Sequence, residues 1–196
     1  GQLINYRGDW FKEANIAVPK TMDELIDVAK KLKAAGHPFG QALGHSFSDP
    51  RVWWYPWLWS YGGKEVLEDG KTVALDSPET LEAVNKAVEL FSYMVPGTLS
   101  WDDNSNNRAF LGGQIGATTN AASIYFTSKR ERVQREADKK TNPAIATPGD
   151  IEHVVLPAGK AGKFSMQSAL TSGIASWSKN VPAAKDFLVA AMQPDV

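Results

Sequence analysis

The chain has 196 residues, enough for one good core or for one lobe and part of another, and its formal charge of −1 lacks the basic excess of a nucleic-acid module. The absence of cysteine excludes disulfides and thiolate metal sites. A hydrophobic share of 43% with 22% charged residues is ordinary for a globular protein, and no run of about 18 apolar residues offers a membrane span.

Leu3-Ile4-Asn5-Tyr6 reads as a short opening strand, and a loop carrying Trp10-Phe11 follows. Thr21 and Glu24 have capping-box spacing, and Leu25, Val28, Ala29 and Leu32 then recur on one face. Gly36 supplies the left-handed stop of this amphipathic helix. Phe39 to Leu43 reads as another short strand. Asp49-Pro50 opens a second helix, with Asp49 as cap and Pro50 at the first helical position. It runs through Pro56, which should kink it, to a stop at Gly62-Gly63.

This helix carries Trp53, Trp54, Trp57 and Trp59, four of the seven tryptophans in the chain. Each ring buries on the order of 200 Å², so exposing all four would forgo roughly 20 kcal/mol. That exceeds a typical net stability of about 5–15 kcal/mol, so most of the rings belong in a core or an interface.

A small hairpin is expected to turn at Glu68-Asp69-Gly70. Ser77-Pro78 starts a third helix with Leu81, Val84, Val88 and Phe91 on one side. Ser100 to Asn107 is a polar loop, and Arg108 to Leu111 a short helix stopped by Gly112-Gly113. Gln114 to Thr119 reads as a strand of small residues, turning at Asn120 to Ser123 into a charged helix that reaches about Ala137. Val154-Val155-Leu156 reads as a buried strand, and Pro157 to Gly162 as a crossover. Gly173-Ile174-Ala175 reads as a last strand before a helix that buries Phe187, Leu188 and Met192. Alternating strands and helices point to an α/β class.

Catalytic signatures are missing: there is no nucleophile elbow, zinc-protease motif or phosphate-binding loop. Gly112-Gly113-Gln114-Ile115-Gly116 precedes a strand, whereas a dinucleotide loop follows one, so it reads as a helix stop. His37, His45 and His153 lack metal-ligand spacing, so no metal site is expected. The basic stretch from Lys129 to Lys140 is interrupted by Glu131, Glu136 and Asp138 and reads as a solvated helix face.

Three places combine short polar groups with an aromatic ring at a loop or helix start. Phe47-Ser48-Asp49-Pro50-Arg51-Val52-Trp53-Trp54 puts Asp49, Arg51 and Trp53 near exposed helix N–H groups, which suits a sugar but equally a plain cap with an Asp49–Arg51 contact. Ser100 to Asn107 offers Trp101, Asp102 and Asn104; Asp102-Asp103 fits either a turn or cap role or an acceptor for a ligand hydroxyl. Asn120, Ser123 and Tyr125 form the third. The alternatives to a receptor are a carbohydrate-active hydrolase using Asp102 with a second carboxylate, and an interaction module using the tryptophans.

The order of segments resembles a known family. Leu3-Ile4-Asn5-Tyr6, Val18-Pro19-Lys20-Thr21-Met22-Asp23-Glu24-Leu25, the aromatic helix ending in Tyr61-Gly62-Gly63, Arg108 to Ala117, Val155 to Gly159 and Ala183 to Leu188 are similar to the maltose-binding-protein-like family of extracellular solute-binding proteins of sugar ABC transporters. The resemblance implies an α/β lobe, a sheet flanked by helices, of the type II periplasmic-binding-protein kind. It further implies a partial chain, with residues 1–162 as the second lobe and residues 163–196 as a crossover and partial return into the first.

The expected role is non-enzymatic: a sugar or polyol is bound in the interlobe cleft, without a cofactor, and delivered to ABC permease membrane subunits. The expected location is periplasmic or extracellular, with no direct membrane insertion and a signal peptide lost on maturation. Carried over by position, the cleft is lined by Asp49, Arg51, Trp53, Trp101, Asp102, Asn104, Asn120 and Ser123, with Gln167 and Ser168 on the hinge side. The family has an aromatic where Ser123 stands, and Tyr125 is the substitute expected here.

Overall fold

The computed structural model describes residues 2–167 and 171–193. The chain divides into two compact units, Gly1–Met166 and Gln167–Val196. The first unit is built on strand β1 (Leu3–Arg7). Side chains alternate along a strand. Ile4 and Tyr6 enter the larger core, while the equally buried Asn5 and Arg7 alternate with them and so face the other way.

Helix α1 (Gly8–Glu13) follows directly, in place of the expected loop. Helix α2 (Met22–Ala34) begins as its capping residues dictate: Thr21 Oγ1 accepts from the Glu24 N–H at 3.1 Å, and Glu24 accepts from the Lys20 N–H at 2.6 Å. Gly36, at φ +82°, turns the chain so that the His37 N–H returns to the Leu32 carbonyl. Helix α3 (Asp49–Ser60) continues through Pro56 and buries Trp57 and Leu58 against α2 and helix α4 (Pro78–Phe91).

Helix α5 (Ser105–Leu111) then leads to β2 (Ala117–Asn120). The expected single charged helix is broken at Glu131 into α6 (Ser123–Arg130) and α7 (Arg132–Lys139). Strand β3 (Ile151–Val155) completes an antiparallel sheet of order β2-β1-β3, in register Ile4↔Thr119 and Ile4↔Val154. The sheet is flanked by helices, as expected, yet its three strands pair antiparallel. Phe39 to Leu43 forms only isolated parallel bridges, Phe39 to Met94 and to Ala117, rather than a strand. Val66 and Val73 bridge around Gly70 as the expected hairpin.

A smaller core gathers Phe110, Ile115, Ile124 and Ile151. Beside it, buried Arg7 forks onto Asp9, donates to the Ala144 carbonyl at 2.6 Å and lies 3.8 Å over the Trp10 ring, on which His37 stacks at 3.7 Å. This charge is buried with a partner for each of its nitrogens, which is the condition under which burial is tolerated.

Two expectations about packing are corrected. In α4 the helix and its Ser77 cap are as expected, but Ala83 and Leu90 form the buried face, and Leu81, Val84, Val88 and Phe91 are exposed. In the second unit, Gly173-Ile174-Ala175 is not a strand, because a lone strand has no ladder partner for its backbone groups. There α8 (Val181–Ala191) has no buried residue; Phe187 is 70% and Met192 81% exposed.

Candidate functional site

Four elements meet at the end of β2: the start of α3, α5, the chain entering α6, and β1. Their meeting point is polar. Buried Asp49 accepts hydrogen bonds from Asn106 Nδ2 at 3.0 Å and from Asn120 Nδ2 at 3.3 Å. Asn120 Nδ2 also donates to Asn107 Oδ1, and its own Oδ1 accepts from the Ala121 N–H. Asn5, across the sheet, donates to the Asn120 carbonyl at 3.2 Å. Gln41 Oε1 accepts from the Thr119 N–H at 3.2 Å, leaving Gln41 Nε2 buried without a partner among the described residues.

The start of α3 is not capped by its own residues. Asp103, more than fifty positions along the chain, accepts from Ser46 Oγ at 2.6 Å, from the Ser48 N–H at 3.3 Å and from the Asp49 N–H at 2.8 Å. It fills the orphan donors of the helix start and sets a negative charge at the positive end of the dipole. This corrects the reading of Asp49 as the cap.

The two carboxylates respond in opposite directions. Burial pushes Asp49 up to about 6, aided by the neighbouring charge of Asp103, while the Asn106 hydrogen bond opposes the rise. Burial also pushes Asp103 upward, but its hydrogen bonds from Ser46, Asp49 and Ser48 outweigh this and hold it below the usual carboxylate range.

The other expected site residues are spread more widely. Arg51 lays its guanidinium 4.2 Å over the ring of Phe47, and its Nε is buried without a partner among the described residues. No hydrogen bond joins it to Asp49 among the described residues. Trp53 is only 7% exposed and stacks on Trp57 at 5.5 Å, so it belongs to the core and not to a ligand platform. Volume and helical spacing carry it there: Trp53 and Trp57 lie one turn apart on the same face.

Asp102 is exposed and closes its own turn. It accepts from Ser105 Oγ at 2.8 Å, from the Asn104 N–H at 2.9 Å and from Arg108 at 3.3 Å. These bonds, that of Ser105 foremost, draw its pKa below the ordinary value. Trp101 is half-buried and lines a separate groove with Ser105, Arg108, Ala109 and Gln114. Asn104 lines another groove with Asn107, Arg108, Leu111 and Thr127. Ser123 is exposed at the first turn of α6, and Tyr125 is half-buried, edge-on to His153 at 5.4 Å. Gln167 is exposed in the second unit, and Ser168 lies outside the described residues.

The geometry thus brings together Asp49 and Asn120, with Arg51 half a turn beyond, and turns Asp102 elsewhere. Asn106, Asn107 and Phe47 are the members that sequence reasoning did not select. For Asn106 a signal existed: it precedes buried Phe110 by four positions, which puts both on one helix face.

The hydrolase alternative fails here. Asp102 is engaged in its local turn, and Asp103, the adjacent acid, is engaged with the start of α3. The interaction-module reading loses its patch, since Trp53 and Trp57 are buried and Trp54 and Trp59 half-buried.

The chain belongs to the bacterial extracellular solute-binding protein family, whose model matches residues 1–196. It is 26% identical over 193 residues to the ABC transporter periplasmic-binding protein YcjN of Escherichia coli (strain K12), covering 98% of this chain and 41% of that protein. Among solved structures, maltose-bound MalE3 of T. maritima is 25% identical at a TM-score of 0.65, over 83% of this chain and 39% of that one. The ABC transporter solute-binding protein of Agrobacterium vitis S4, solved with D-mannitol, has the same fold at a TM-score of 0.73 and 20% identity, over 99% of this chain and 45% of that one. The chain therefore spans less than half the length of the relatives it matches. No helix among the described residues is long and apolar enough to cross a membrane.

Proposed function

We propose that this chain is the substrate-binding component of an ABC importer, or a large piece of it, and that it takes a sugar or polyol in a cleft and hands it to membrane permease subunits. The observation that carries the reading is the buried polar junction at the end of β2, where Asp49 is held by Asn106 and Asn120. Hydroxyl-rich ligands need acceptors and donors fixed in place beforehand, and side-chain carboxamides locked by a carboxylate supply both. The maltose and D-mannitol bound by the relatives fit this chemistry.

In this reading residues 1–162 form the second lobe, and residues 163–196 cross over and return in part to the first. Asp49, Arg51 and Asn120 then line the cleft, and Gln167 and Ser168 belong to the returning segment. The role is non-enzymatic, and the protein works outside the inner membrane or outside the cell. Ligand is enclosed by hinge closure of the lobes.

The test is titration calorimetry of the full-length protein against a panel of sugars and polyols. Saturable binding of at least one, with no product released from glycans, is the expected result. A complete absence of binding across the panel overturns it.

A further inference from the structure

Asn106 stands one turn before Phe110 on the face of α5 that enters the smaller core, and it is fully buried. An apolar side chain there would extend that core with no polar group to desolvate. A buried carboxamide needs partners, and the partners show what it does. Its Oδ1 accepts from the Asn107 N–H at 3.1 Å. Nδ2 is therefore the end turned inward, to Asp49 Oδ2 at 3.0 Å and Thr118 Oγ1 at 3.4 Å.

From Asp49 the hydrogen bonds lead back towards the surface. The same Oδ2 accepts from Asn120 Nδ2, which also donates to Asn107 Oδ1. Asn120 Oδ1 accepts from the Ala121 N–H, so this carboxamide has both hydrogens engaged and one orientation. Asn107 closes the circuit, its backbone N–H on Asn106 and its Oδ1 on Asn120. Its Nδ2 has no hydrogen bond among the described residues. Asn107 is half-buried and lines, with Asn104, Arg108 and Thr127, a groove of about 400 Å³, the size of a small-ligand site. The buried members of the circuit are Asp49, Asn106 and Asn120, and its outlet is Asn107.

Given the solute-binding role proposed for the chain, we propose that Asn106 is a positioning residue: without meeting the ligand, it holds Asp49, and through Asp49 and Asn120 it keeps the Asn107 carboxamide with its N–H groups turned into the groove, towards a hydroxyl oxygen of a sugar or polyol. A free asparagine can present either end of its amide to a hydroxyl. Locked by the circuit, Asn107 presents donors only, and they are set before ligand arrives. The lock depends on the charge of Asp49, since an ionised carboxylate holds amide donors more firmly than a neutral carboxyl. Asp103 is the charged group that acts on Asp49. Arg51, on the same helix, forms no hydrogen bond with it among the described residues, and α5, β1 and β2 bring amide and hydroxyl groups to the circuit.

The experiment is calorimetry on the full-length protein with D-glucose, maltose, laminaribiose, D-mannitol and ribitol, for wild type, Asn106→Leu, Asn107→Leu and the double variant, across a pH series. Expected is a loss of about tenfold in either single variant for a ligand that the wild type binds, and no greater loss in the double variant, because both substitutions disable one group. The pH profile carries a second signature. Wild-type affinity falls as pH drops through about 6, where Asp49 takes up its proton. The Asn106 hydrogen bond holds that value down, so in Asn106→Leu the fall begins at a higher pH, which a merely structural role does not produce. Melting temperatures separate loss of the lock from loss of fold. Should Asn106→Leu not fold, Asn106→Ser, too short to reach Asp49, is read in its place. Additive losses in the double variant, an unaltered affinity in a folded Asn106 variant, or a pH profile identical to that of wild type overturns the positioning role and leaves the receptor reading standing. A wild type that binds none of the five overturns both.

Discussion

The two ends of α3 are built on different principles. At the far end Trp57 and Leu58 are buried against α4, and polar groups there are met close by: the Trp57 indole N–H donates to the Ala83 carbonyl at 2.8 Å and Ser60 Oγ to the Trp57 carbonyl at 2.7 Å. At the near end the buried groups are a carboxylate and carboxamides, held by one another and by Asp103. The first end gains stability from area removed from water. The second keeps desolvated polar groups in place, at a cost in stability, so that they stand ready for something else.

The comparison breaks most visibly at the apolar end. Trp57→Ala should cost about 3–5 kcal/mol, the range for a large core residue, in denaturant unfolding of the chain. A smaller loss would mean that the core collapses around the gap. Asp103→Ala comes next, at about 1–2 kcal/mol, because it frees three donors around the start of α3. An effect confined to ligand affinity would show instead that the α3 start is held without it.

The polar end is sharpened by pH. Asp49 has a folded pKa of about 6 against an ordinary 3.8, so the native state binds more protons between those values. Its contribution to stability is full below the ordinary value and is lost as pH rises through about 6. Asp103 and Asp150 are shifted the other way and oppose this slope, so the difference between wild type and Asp49→Asn isolates it. Wild type should gain on Asp49→Asn as pH falls from about 6 towards 4, read from melting temperatures across that window. The smallest expected effect is at Asp102. Its carboxylate is exposed and serves only its own turn, so Asp102→Ala should lower the melting temperature least of these variants.

What could be read from the sequence follows the distance between partners. The start of α2 was legible because Thr21, Glu24 and Lys20 complete one another within four positions. That α3 would turn tryptophans into the core was legible because their area admits few alternatives, and Trp53 and Trp57 are buried while Trp54 and Trp59 are half-buried. The role of Asp103 was not, since its partners lie more than fifty residues away and nothing local distinguishes it from Asp102. The faces of α4 were misread for a related reason. Leu81, Val84, Val88 and Phe91 have the spacing of a buried stripe, yet the contacts of α4 with α2 and α3 fall on Ala83 and Leu90. Spacing finds a face but does not say which neighbour covers it.

The stack of Arg7, Trp10 and His37 has an optical consequence. Burial holds the His37 pKa below its ordinary value, so near neutrality the imidazole above Trp10 is uncharged. An imidazolium is a strong quencher of indole emission and a neutral imidazole a weak one. Acidification should therefore dim the Trp10 component of the emission reversibly. A single tryptophan of the seven becomes an internal gauge of the protonation of its neighbour.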